Sequence, residues 1–182
     1  MGKVIAIAGP TCSGKTTLAK FLTKYGFEQI VTYTTRPPRR GERDGVDYHF
    51  ISEEEFLQKE YEGFFAETAS FNASFGKCYY GSALKDFTDD GKKKVIVLNP
   101  RGITALDNFI FTVYLYPTYS AIFSRGYARG DTQQELDRRV RSDEADFKLI
   151  RDGGYIDYLV EGDYPVEIVA QWVLNAYRAA EG

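Results

Sequence analysis

The sequence predicts an α/β protein in which a parallel five-stranded sheet is flanked by helices. Four apolar runs, at 3–8, 95–98, 111–116 and 158–160, are too continuous for strands with one exposed face, and a shorter strand is predicted at 29–32. Stretches with helical spacing separate these runs. Apolar strands that alternate with helices are typical of a parallel sheet that is covered on both faces.

Two stretches have the apolar spacing of helices that pack on such a sheet. Residues 15–25 carry apolar side chains at helical intervals, and Gly26 is suited to end this helix in the left-handed conformation. Near the C-terminus, one apolar stripe runs through 166–177 behind Pro165, a residue that is favoured where a helix begins. Both stretches support the predicted α/β architecture.

The charge of the chain argues against some classes of partner. Its 182 residues carry a net charge of -3 and have a pI near 5.3, whereas a general binder of nucleic acid or of anionic membranes carries an excess of basic residues. Two local clusters of arginine suit a small polyanionic ligand instead. The clusters are Arg36, Arg39, Arg40 and Arg43, and Arg125, Arg129, Arg138, Arg139 and Arg141.

Cysteine usage and hydropathy predict the compartment. Cys12 and Cys78 are far apart in the sequence, and we find neither a secretory leader nor an apolar run of about 18 residues. A chain of 20.6 kDa fits one domain of ordinary size. We therefore expect a reduced, soluble, cytoplasmic protein that is a monomer or weak dimer and binds small molecules rather than nucleic acid or membrane.

The octet at 9–16 matches the pattern G-x-x-x-x-G-K-[ST] of a phosphate-binding loop. In such a loop the glycines let successive N–H groups point at an anion, and the following helix adds the positive end of its dipole. Lys15 is expected to reach the β- and γ-phosphates of a nucleoside triphosphate, and the Thr16 hydroxyl to bind Mg²⁺. A glycine-rich turn with a chance lysine is the alternative, but the apolar strand before the octet and the helix after it favour nucleotide binding. The predicted nucleotide-binding residues are Gly9, Pro10, Thr11, Cys12, Ser13, Gly14, Lys15, Thr16 and Thr17.

Two polar stretches interrupt the alternation of strands and helices. We expect an inserted subdomain at 33–81 and an arginine-rich cover at 124–142. Each contains a capping box that begins a helix, at 52–55 in the first and at 132–135 in the second. An alternating segment at 46–51 predicts a strand in the first. The remaining segments, which form the predicted core of a single domain, are 1–32, 82–123 and 143–182.

The insertion contains a basic segment that is suited to a second anion. Arg36 and Arg39 flank a stiff pair of prolines and can present two guanidinium groups to one phosphate. Tyr48 follows closely and can donate its hydroxyl to the same group. A solvated basic turn is the alternative, but a kinase with a phosphorylated acceptor requires a second anion site.

Residues 34–50 resemble the guanylate kinase family, because they meet every fixed position of its pattern T-T-R-x-P-R-x-G-E-x-x-G-x-D-Y-x-F. The resemblance implies a P-loop α/β fold with a small insertion that binds a nucleoside monophosphate and with an arginine-rich lid. It also implies an activity, which is the transfer of the γ-phosphoryl group of Mg·ATP to GMP or dGMP. ATP and Mg²⁺ are the implied cofactors.

The resemblance also implies roles for residues outside these two motifs. Thr32 and Glu67 match residues that face the guanine, and Asn99 occupies another position that reads the base. Tyr80 and Ser82 match contacts to the phosphate or the base. From the residues alone, Glu67 could equally be a surface carboxylate and Tyr80 a packed aromatic residue.

Arg129 and Arg139 match the arginines of the family's lid, which neutralise charge on the moving phosphoryl group. Arg125 and Arg138 are further candidates. The alternative is a solvated helix face on which acidic neighbours pair with these arginines.

The chain departs from the family's pattern at several places, and at two of them an acid is missing. Val97 and Asn99 stand where the family has aspartates that organise the Mg²⁺ environment and read the guanine. This difference suggests, as one alternative, a kinase for another or modified nucleoside monophosphate. A second alternative is a non-catalytic module that binds a phosphorylated peptide, but the intact octet at 9–16 argues against it.

Overall fold

The structure is a computed structural model that describes residues 3–39, 41–73 and 76–182. Arg40, a member of the first arginine cluster, lies outside the described residues. In chain order, the strands are β1 (Val4–Ala8), β2 (Phe27–Gln29), β3 (Tyr33–Thr34), β4 (His49–Phe50), β5 (Phe65–Ala73), β6 (Gly76–Ala83), β7 (Lys93–Val97), β8 (Ile110–Tyr116) and β9 (Tyr158–Glu161). The α-helices are α1 (Lys15–Leu22), α2 (Glu53–Tyr61), α3 (Pro100–Leu106), α4 (Tyr119–Ala128), α5 (Gln133–Asp152) and α6 (Val166–Glu181).

The chain divides into two compact units, of which the first comprises Met1–Gln29 with Lys93–Gly182 and the second comprises Ile30–Lys92. In the first unit the strands form one sheet with the order β2-β7-β1-β8-β9. Each neighbouring pair in this sheet is parallel. The predicted α/β fold with a parallel five-stranded sheet is therefore confirmed.

Helices cover both faces of this sheet. Ile5 of β1 and Leu18 of α1 are fully buried in one core, to which α6 also contributes. Successive residues of a strand point to opposite faces, so Val113 of β8 belongs to this core whereas Tyr114 packs against Phe147 of α5, with ring centroids 5.3 Å apart. Burial on both faces explains why these strands are apolar along their whole length.

Two strands differ from the sequence prediction. The strand predicted at 29–32 lies earlier, at β2, because its ladder with β7 ends at Gln29 and Ile30 already belongs to the second unit. The strand predicted at 46–51 is limited to β4. A turn precedes it, in which Gly45 has a φ of 70° and the Arg43 carbonyl oxygen accepts two N–H groups. This turn occupies the backbone groups that a longer strand would need.

The second unit contains a sheet with the order β4-β3-β6-β5, in which β5 and β6 form a long antiparallel hairpin. Helix α2 begins after Ser52, whose hydroxyl accepts the Glu55 N–H at 3.1 Å, as the capping box predicts. Its Phe56 is fully buried and stacks on Phe65, with ring centroids 4.6 Å apart. The predicted insertion, 33–81, lies within this unit.

The arginine-rich helices α4 and α5 belong to the first unit and pack closely at Gly126. A Cβ at this position would lie 2.4 Å from Leu136 Cδ2, so a larger residue would require the Leu136 side chain to shift. The Thr132 hydroxyl accepts the Glu135 N–H at 3.3 Å, so α5 begins where the second capping box predicts a helix start. Helix α5 continues past residue 142, where the predicted cover ends. None of the described helices is long and apolar enough to cross a membrane.

Candidate nucleotide sites

The loop between β1 and α1 is shaped by residues with positive φ. Gly9 has a φ of 144°, and a Cβ there would lie 2.4 Å from the Leu115 carbonyl oxygen, so this position requires glycine. Gly14, with a φ of 96°, precedes the first turn of α1. Among the described residues, Cys12 is the non-glycine residue with positive φ, at 56°. The resulting tight loop leads directly into the N-terminus of a helix, which is a favourable position for an anion.

Lys15 points back into this loop. Its Nζ donates to the carbonyl oxygens of Gly9 and Pro10, each at 2.7 Å, and to Ser13 Oγ at 3.3 Å. The N–H groups in the first turn of a helix have no partner within the helix. The loop therefore combines a cation with backbone donors, which is the chemistry that binds the phosphates of a nucleotide.

The first turn of α1 also offers hydroxyl oxygens, because Thr16 and Thr17 are exposed there. Mg²⁺ prefers oxygen ligands and keeps several waters, so one protein oxygen beside phosphate oxygens is sufficient for a site. The part of the chain that the structure describes has no group of three or more His, Cys, Asp or Glu side chains that could hold a metal. The Thr16 hydroxyl fits a Mg²⁺ ion that is shared with a nucleotide.

A carboxylate from α5 also reaches the loop. Asp143 Oδ2 accepts the Thr11 N–H at 2.6 Å, across 132 positions of sequence. Burial raises the pKa of Asp143, while the Thr11 N–H and the Lys15 ammonium oppose this rise. The sequence does not mark Asp143, because nothing in a highly charged helix distinguishes one acid that faces a distant loop.

Two arginines near the end of α4 contact the loop at Cys12. Arg125 donates to the Cys12 carbonyl oxygen at 3.2 Å and pairs with Asp163, also at 3.2 Å. Arg129 Nη2 lies 2.8 Å from Cys12 Sγ and 2.9 Å from Asp131. The structure thus brings Arg129, a predicted lid arginine, to the phosphate loop.

Arg139, the other predicted lid arginine, is paired with carboxylates. Its Nε lies 2.8 Å from Glu135, and its Nη1 lies 3.3 Å from Asp131, which also pairs with Arg129. Hydrogen bonds from Arg138 and Arg139 lower the pKa of Glu135 to about 2. Asp131 therefore pairs with both Arg129 and Arg139, and acidic side chains neutralise the positive charge of both arginines.

A cavity of about 290 Å³ adjoins the loop at the carboxyl ends of β8 and β9. Pro10 and Asp143 form part of its wall, together with the aromatic side chains of Tyr114, Tyr116 and Tyr119. Burial raises the pKa of Tyr114 to about 12, so this phenol is neutral at physiological pH. The cavity is suited to a planar group next to the phosphate loop.

In the second unit, Arg36 is buried and already paired. Its Nη2 lies 2.9 Å from each carboxylate oxygen of Glu42, and its Nη1 donates to the Pro37 carbonyl oxygen at 2.7 Å. The rings of Tyr48 and Phe50 have their centroids 5.3 and 5.8 Å from its guanidinium carbon. Burial lowers the pKa of Arg36, but the hydrogen bond to Glu42 acts in the opposite direction, and the pKa is raised overall. A permanent cation is thus held inside this unit.

The role of Glu42 is absent from the sequence prediction. Besides Arg36, its carboxylate accepts the Arg39 N–H at 2.7 Å, so one acid fixes both parts of the basic segment. The Arg39 side chain is exposed. The available signal was the single glutamate within a run of arginines, which is an expected partner for a buried guanidinium group.

Tyr48 and Tyr80 lie beside Arg36, and both are candidate phosphate contacts. Their ring centroids are 6.1 Å apart, and Phe71 packs on the other side of Tyr80 with a centroid distance of 5.7 Å. Burial raises the pKa of Tyr48, and the nearby Tyr80 adds to this effect. The Tyr48 hydroxyl therefore keeps its proton at neutral pH and can donate a hydrogen bond.

Glu67 and Ser82 are paired across β5 and β6, and both are buried. Ser82 Oγ donates to Glu67 Oε1 at 2.7 Å, whereas Glu67 Oε2 has no hydrogen-bond partner within the described ranges. Burial raises the pKa of Glu67, and the hydrogen bond from Ser82 opposes this rise. An unpaired carboxylate oxygen is costly to bury, so this atom is well placed to accept a donor group of a ligand.

Two predicted base contacts have backbone or capping roles in the structure. The Thr32 carbonyl oxygen accepts the His49 N–H at 2.9 Å and so helps to hold β4. Asn99 belongs to the first unit, where its Oδ1 accepts the Gly102 N–H at 2.9 Å and caps α3. Within the second unit, Glu67 pairs with Ser82, and Tyr80 lies two residues before Ser82 on the same strand.

Several known proteins are similar to this chain in sequence or in fold. A guanylate kinase from Onion yellows phytoplasma is 33% identical to the chain, in an alignment that covers 89% of this chain and 79% of the relative. A guanylate kinase from Thermotoga maritima is also 33% identical, and its alignment covers 98% of this chain and 87% of the relative. The crystal structure of guanylate kinase from Anaplasma phagocytophilum has a TM-score of 0.70 at 26% identity and covers 98% of this chain and 86% of that one. A shikimate kinase from Acinetobacter baumannii, with a TM-score of 0.57 and 17% identity over 99% of this chain and 95% of its own, shares the fold.

A parallel sheet in which the motif of a phosphate-binding loop follows the central strand β1 is the arrangement of P-loop nucleotide-binding proteins. The family model of guanylate kinase matches residues 1–165. The chain belongs to the guanylate kinase family, whose members are ATP-dependent nucleoside monophosphate kinases.

Proposed function

We propose that this protein is a guanylate kinase that transfers the γ-phosphoryl group of ATP to GMP or dGMP and releases ADP with GDP or dGDP. The observation that carries the proposal is the buried Glu67 carboxylate, whose Oε2 has no partner among the described residues. Guanine presents two adjacent donors, N1–H and N2–H₂, which one carboxylate accepts together. A buried cation, Arg36, lies in the same unit and suits the phosphate of the same ligand.

The same carboxylate explains selection against adenine. Adenine has an acceptor at N1, which would face Glu67 and repel it. Ser82 holds one oxygen of this carboxylate and thereby fixes its orientation. We assign base selection to Glu67 and Ser82, with Thr32 and Asn99 as further candidates: the Thr32 carbonyl oxygen bonds to a backbone N–H, and the Asn99 side chain caps α3.

We assign the phosphate of the acceptor to Arg36, Arg39, Tyr48 and Tyr80. Glu42 holds Arg36 in place, so little conformational entropy is lost when a phosphate binds. The acceptor phosphate is ionised at neutral pH, so its oxygen attacks the γ-phosphorus without a general base. The new P–O bond forms as the bond to the β-phosphate oxygen breaks, and that oxygen keeps the electron pair as ADP leaves. No covalent enzyme intermediate is required.

On the donor side, we assign the phosphates of ATP to the loop at 9–16 and to Thr17. Lys15 now donates to the Gly9 and Pro10 carbonyl oxygens, and we expect it to donate to the β- and γ-phosphates when ATP is bound. Thr16 is the proposed protein ligand of Mg²⁺, which neutralises phosphate charge when it is bound. Electrostatic stabilisation and positioning supply the rate.

We further propose that 124–142 acts as a lid and that Arg129 and Arg139 stabilise the transferring group. Both arginines pair with Asp131 at present, so the lid would exchange a carboxylate for a phosphate. The protein is proposed to act in the cytoplasm as a monomer or weak dimer, and its two free cysteines, Cys12 and Cys78, suit a reducing compartment.

A coupled assay of ADP release over a panel of monophosphates tests this function. GMP, dGMP, AMP, CMP and TMP are offered with ATP and Mg²⁺, and the expected result is a kcat/KM for GMP or dGMP well above that for every other acceptor. A preference for another monophosphate would keep the kinase but refute the guanine assignment. Binding of GMP without ADP release under any condition would instead favour a non-catalytic binding module.

A further inference from the structure

A stripe of side chains on α5 connects the lid arginines to the protein core. Glu135, Arg139, Asp143 and Phe147 are spaced four residues apart, so each is a neighbour of the next along a stripe that winds slowly around the helix. At the N-terminal end of this stripe, Glu135 accepts from Arg139 at 2.8 Å. At its C-terminal end, Phe147 is buried in the core. Asp143 lies between them, and its carboxylate meets the Thr11 N–H at 2.6 Å.

The contact with the loop distinguishes Asp143 from the neighbouring acids of the same helix. Glu144 accepts from the hydroxyl of Tyr119, and Asp146 is exposed and accepts from Ser142 at 3.4 Å. Neither contact involves the phosphate loop. Asp143 is also partly buried, so this carboxylate gives up hydration to make its bond.

We propose that Asp143 is a positioning residue of the phosphotransfer reaction, because it ties α5 to the phosphate loop and holds Arg139, one turn earlier, in register with that loop. The inference rests on the proposed function of the site. Asp143 does not touch the reacting phosphates in this account and acts through Thr11 and Arg139. Small displacements of an oriented catalytic group lower rates strongly, so loss of this bond is expected to reduce turnover.

The geometry also predicts which property of Asp143 matters. The Thr11 N–H requires an acceptor oxygen at the correct distance, and the side-chain amide of asparagine has one in the same place. Asparagine should therefore preserve the tie, whereas alanine and serine, which cannot reach the N–H group, should not. If the carboxylate instead competed with the phosphates of ATP for the loop, both asparagine and alanine would improve the use of ATP.

Steady-state kinetics with ATP and GMP test the proposal in four variants: Asp143→Ala, Asp143→Ser, Asp143→Asn and the control Asp146→Asn. The alanine and serine variants are expected to lose about 10–100-fold in kcat, with a KM for GMP close to that of the wild type. Asp143→Asn should stay within about 3-fold of the wild type, and Asp146→Asn should be unchanged. Wild-type kcat in the alanine or serine variant would overturn the proposal. A raised kcat/KM for ATP in the alanine and asparagine variants would also overturn it, as would an asparagine variant that is as slow as the alanine variant.

Amide hydrogen exchange provides a readout that does not depend on activity. The Thr11 amide should exchange slowly in the wild type, Asp143→Asn and Asp146→Asn, and faster in Asp143→Ala and Asp143→Ser. Unchanged protection in the alanine and serine variants would overturn the proposal. If the wild type fails to phosphorylate GMP, the proposed function fails, yet the exchange measurement still decides whether Asp143 holds the loop. Two variants without the acceptor are included so that poor folding of one leaves the test intact.

Discussion

The phosphate loop differs from the proposed acceptor pocket, which comprises Arg36, Tyr48, Glu67, Tyr80 and Ser82, in whether polar groups already have partners. In the loop, the Lys15 ammonium bonds to the carbonyl oxygens of Gly9 and Pro10, each at 2.7 Å, and the Thr11 N–H bonds to Asp143. In the acceptor pocket, Glu67 Oε2 is buried and, among the described residues, has no partner. A donor nucleotide would therefore replace the partners of Lys15 while the Thr11–Asp143 bond stays in place, whereas a guanine base would supply a missing bond.

From this difference we expect the loop to act mainly on turnover and the acceptor pocket to act mainly on the choice of base. Replacement of one set of hydrogen bonds by another changes the binding free energy little, so the groups of the loop are expected to act mainly on the charge that develops during transfer. A missing bond at a buried carboxylate costs about 1–3 kcal/mol, and only a ligand with the right donors recovers it. The loop should thus control turnover, and the acceptor pocket should control the choice of base.

The largest effect is expected at Lys15. Lys15→Ala should lower kcat by about 10²–10³-fold, or roughly 3–4 kcal/mol, because the ammonium group stabilises charge on the transferring phosphoryl group. The exposed Lys20, on the same helix, provides the matched control Lys20→Ala, which should keep wild-type turnover. Near-normal turnover of a folded Lys15→Ala protein, checked by circular dichroism, would remove the phosphoryl-transfer assignment.

A smaller loss is expected at Arg39, and it should affect one ligand only. Arg39→Ala should weaken GMP binding by about 1.5–3 kcal/mol and leave ATP binding unchanged, because a charge-assisted contact to the acceptor phosphate is lost. Isothermal titration of both nucleotides measures this, with the exposed Arg43→Ala as control in the same segment. Equal weakening of both ligands would place Arg39 at the donor site instead.

Glu67→Gln tests whether the unpaired carboxylate oxygen of Glu67 accepts hydrogen bonds from guanine. The amide group of glutamine places a donor against the donors of guanine, so kcat/KM for GMP should fall by about 2 kcal/mol and discrimination against AMP should narrow. Glu54→Gln, on the exposed side of α2, should change neither quantity. A variant with unchanged preference would show that another group reads the base.

The KM for GMP should depend on pH through the protonation of the Glu67 carboxylate. Burial raises the pKa of Glu67, so this carboxylate takes up a proton at a higher pH than an ordinary glutamate. As pH falls through this raised pKa, the KM for GMP should rise, and the dependence should disappear in Glu67→Gln. Protonation also removes the cost of burying the charge, so the same titration should not destabilise the fold. Measurement of KM against pH in both proteins checks the sign; a wild-type KM that decreases as the pH is lowered through this range would refute it.

The smallest effect is expected at Glu135, whose carboxylate already pairs with Arg138 and Arg139. Arg138 and Arg139 lower the pKa of Glu135 to about 2, so its contribution to stability is present above the unfolded value of about 4.3 and is lost as pH falls toward 2. Because this network is largely exposed, Glu135→Gln should cost less than about 1 kcal/mol at neutral pH. Thermal unfolding at pH 7 and pH 2.5 measures the difference, which should shrink at the lower pH; a larger difference there would contradict the assignment.

Features that depend on neighbouring residues in the chain could be predicted from the sequence. The phosphate loop is one contiguous octet, and the helix starts after Ser52 and Thr132 follow from hydroxyl groups that bond three residues ahead. The central strands β1, β7 and β8 could also be recognised, because burial on both faces requires apolar residues along most of their length, whereas the edge strand β2 was predicted too late in the chain. Such signals are local, so sequence alone determined the fold class and the position of the loop.

Other features depend on residues that are distant in sequence, and only the tertiary structure decided them. Asp143 lies 132 positions from Thr11, and Ser82 lies 15 from Glu67, so their bonds arise only when helices and strands are packed in one register. The unpaired oxygen of Glu67 has the same origin, because burial and the lack of a partner are properties of the surroundings and not of the residue type. The sequence by itself determined which groups could bind two phosphates, and the packing decided which of them are already paired and which can receive a ligand.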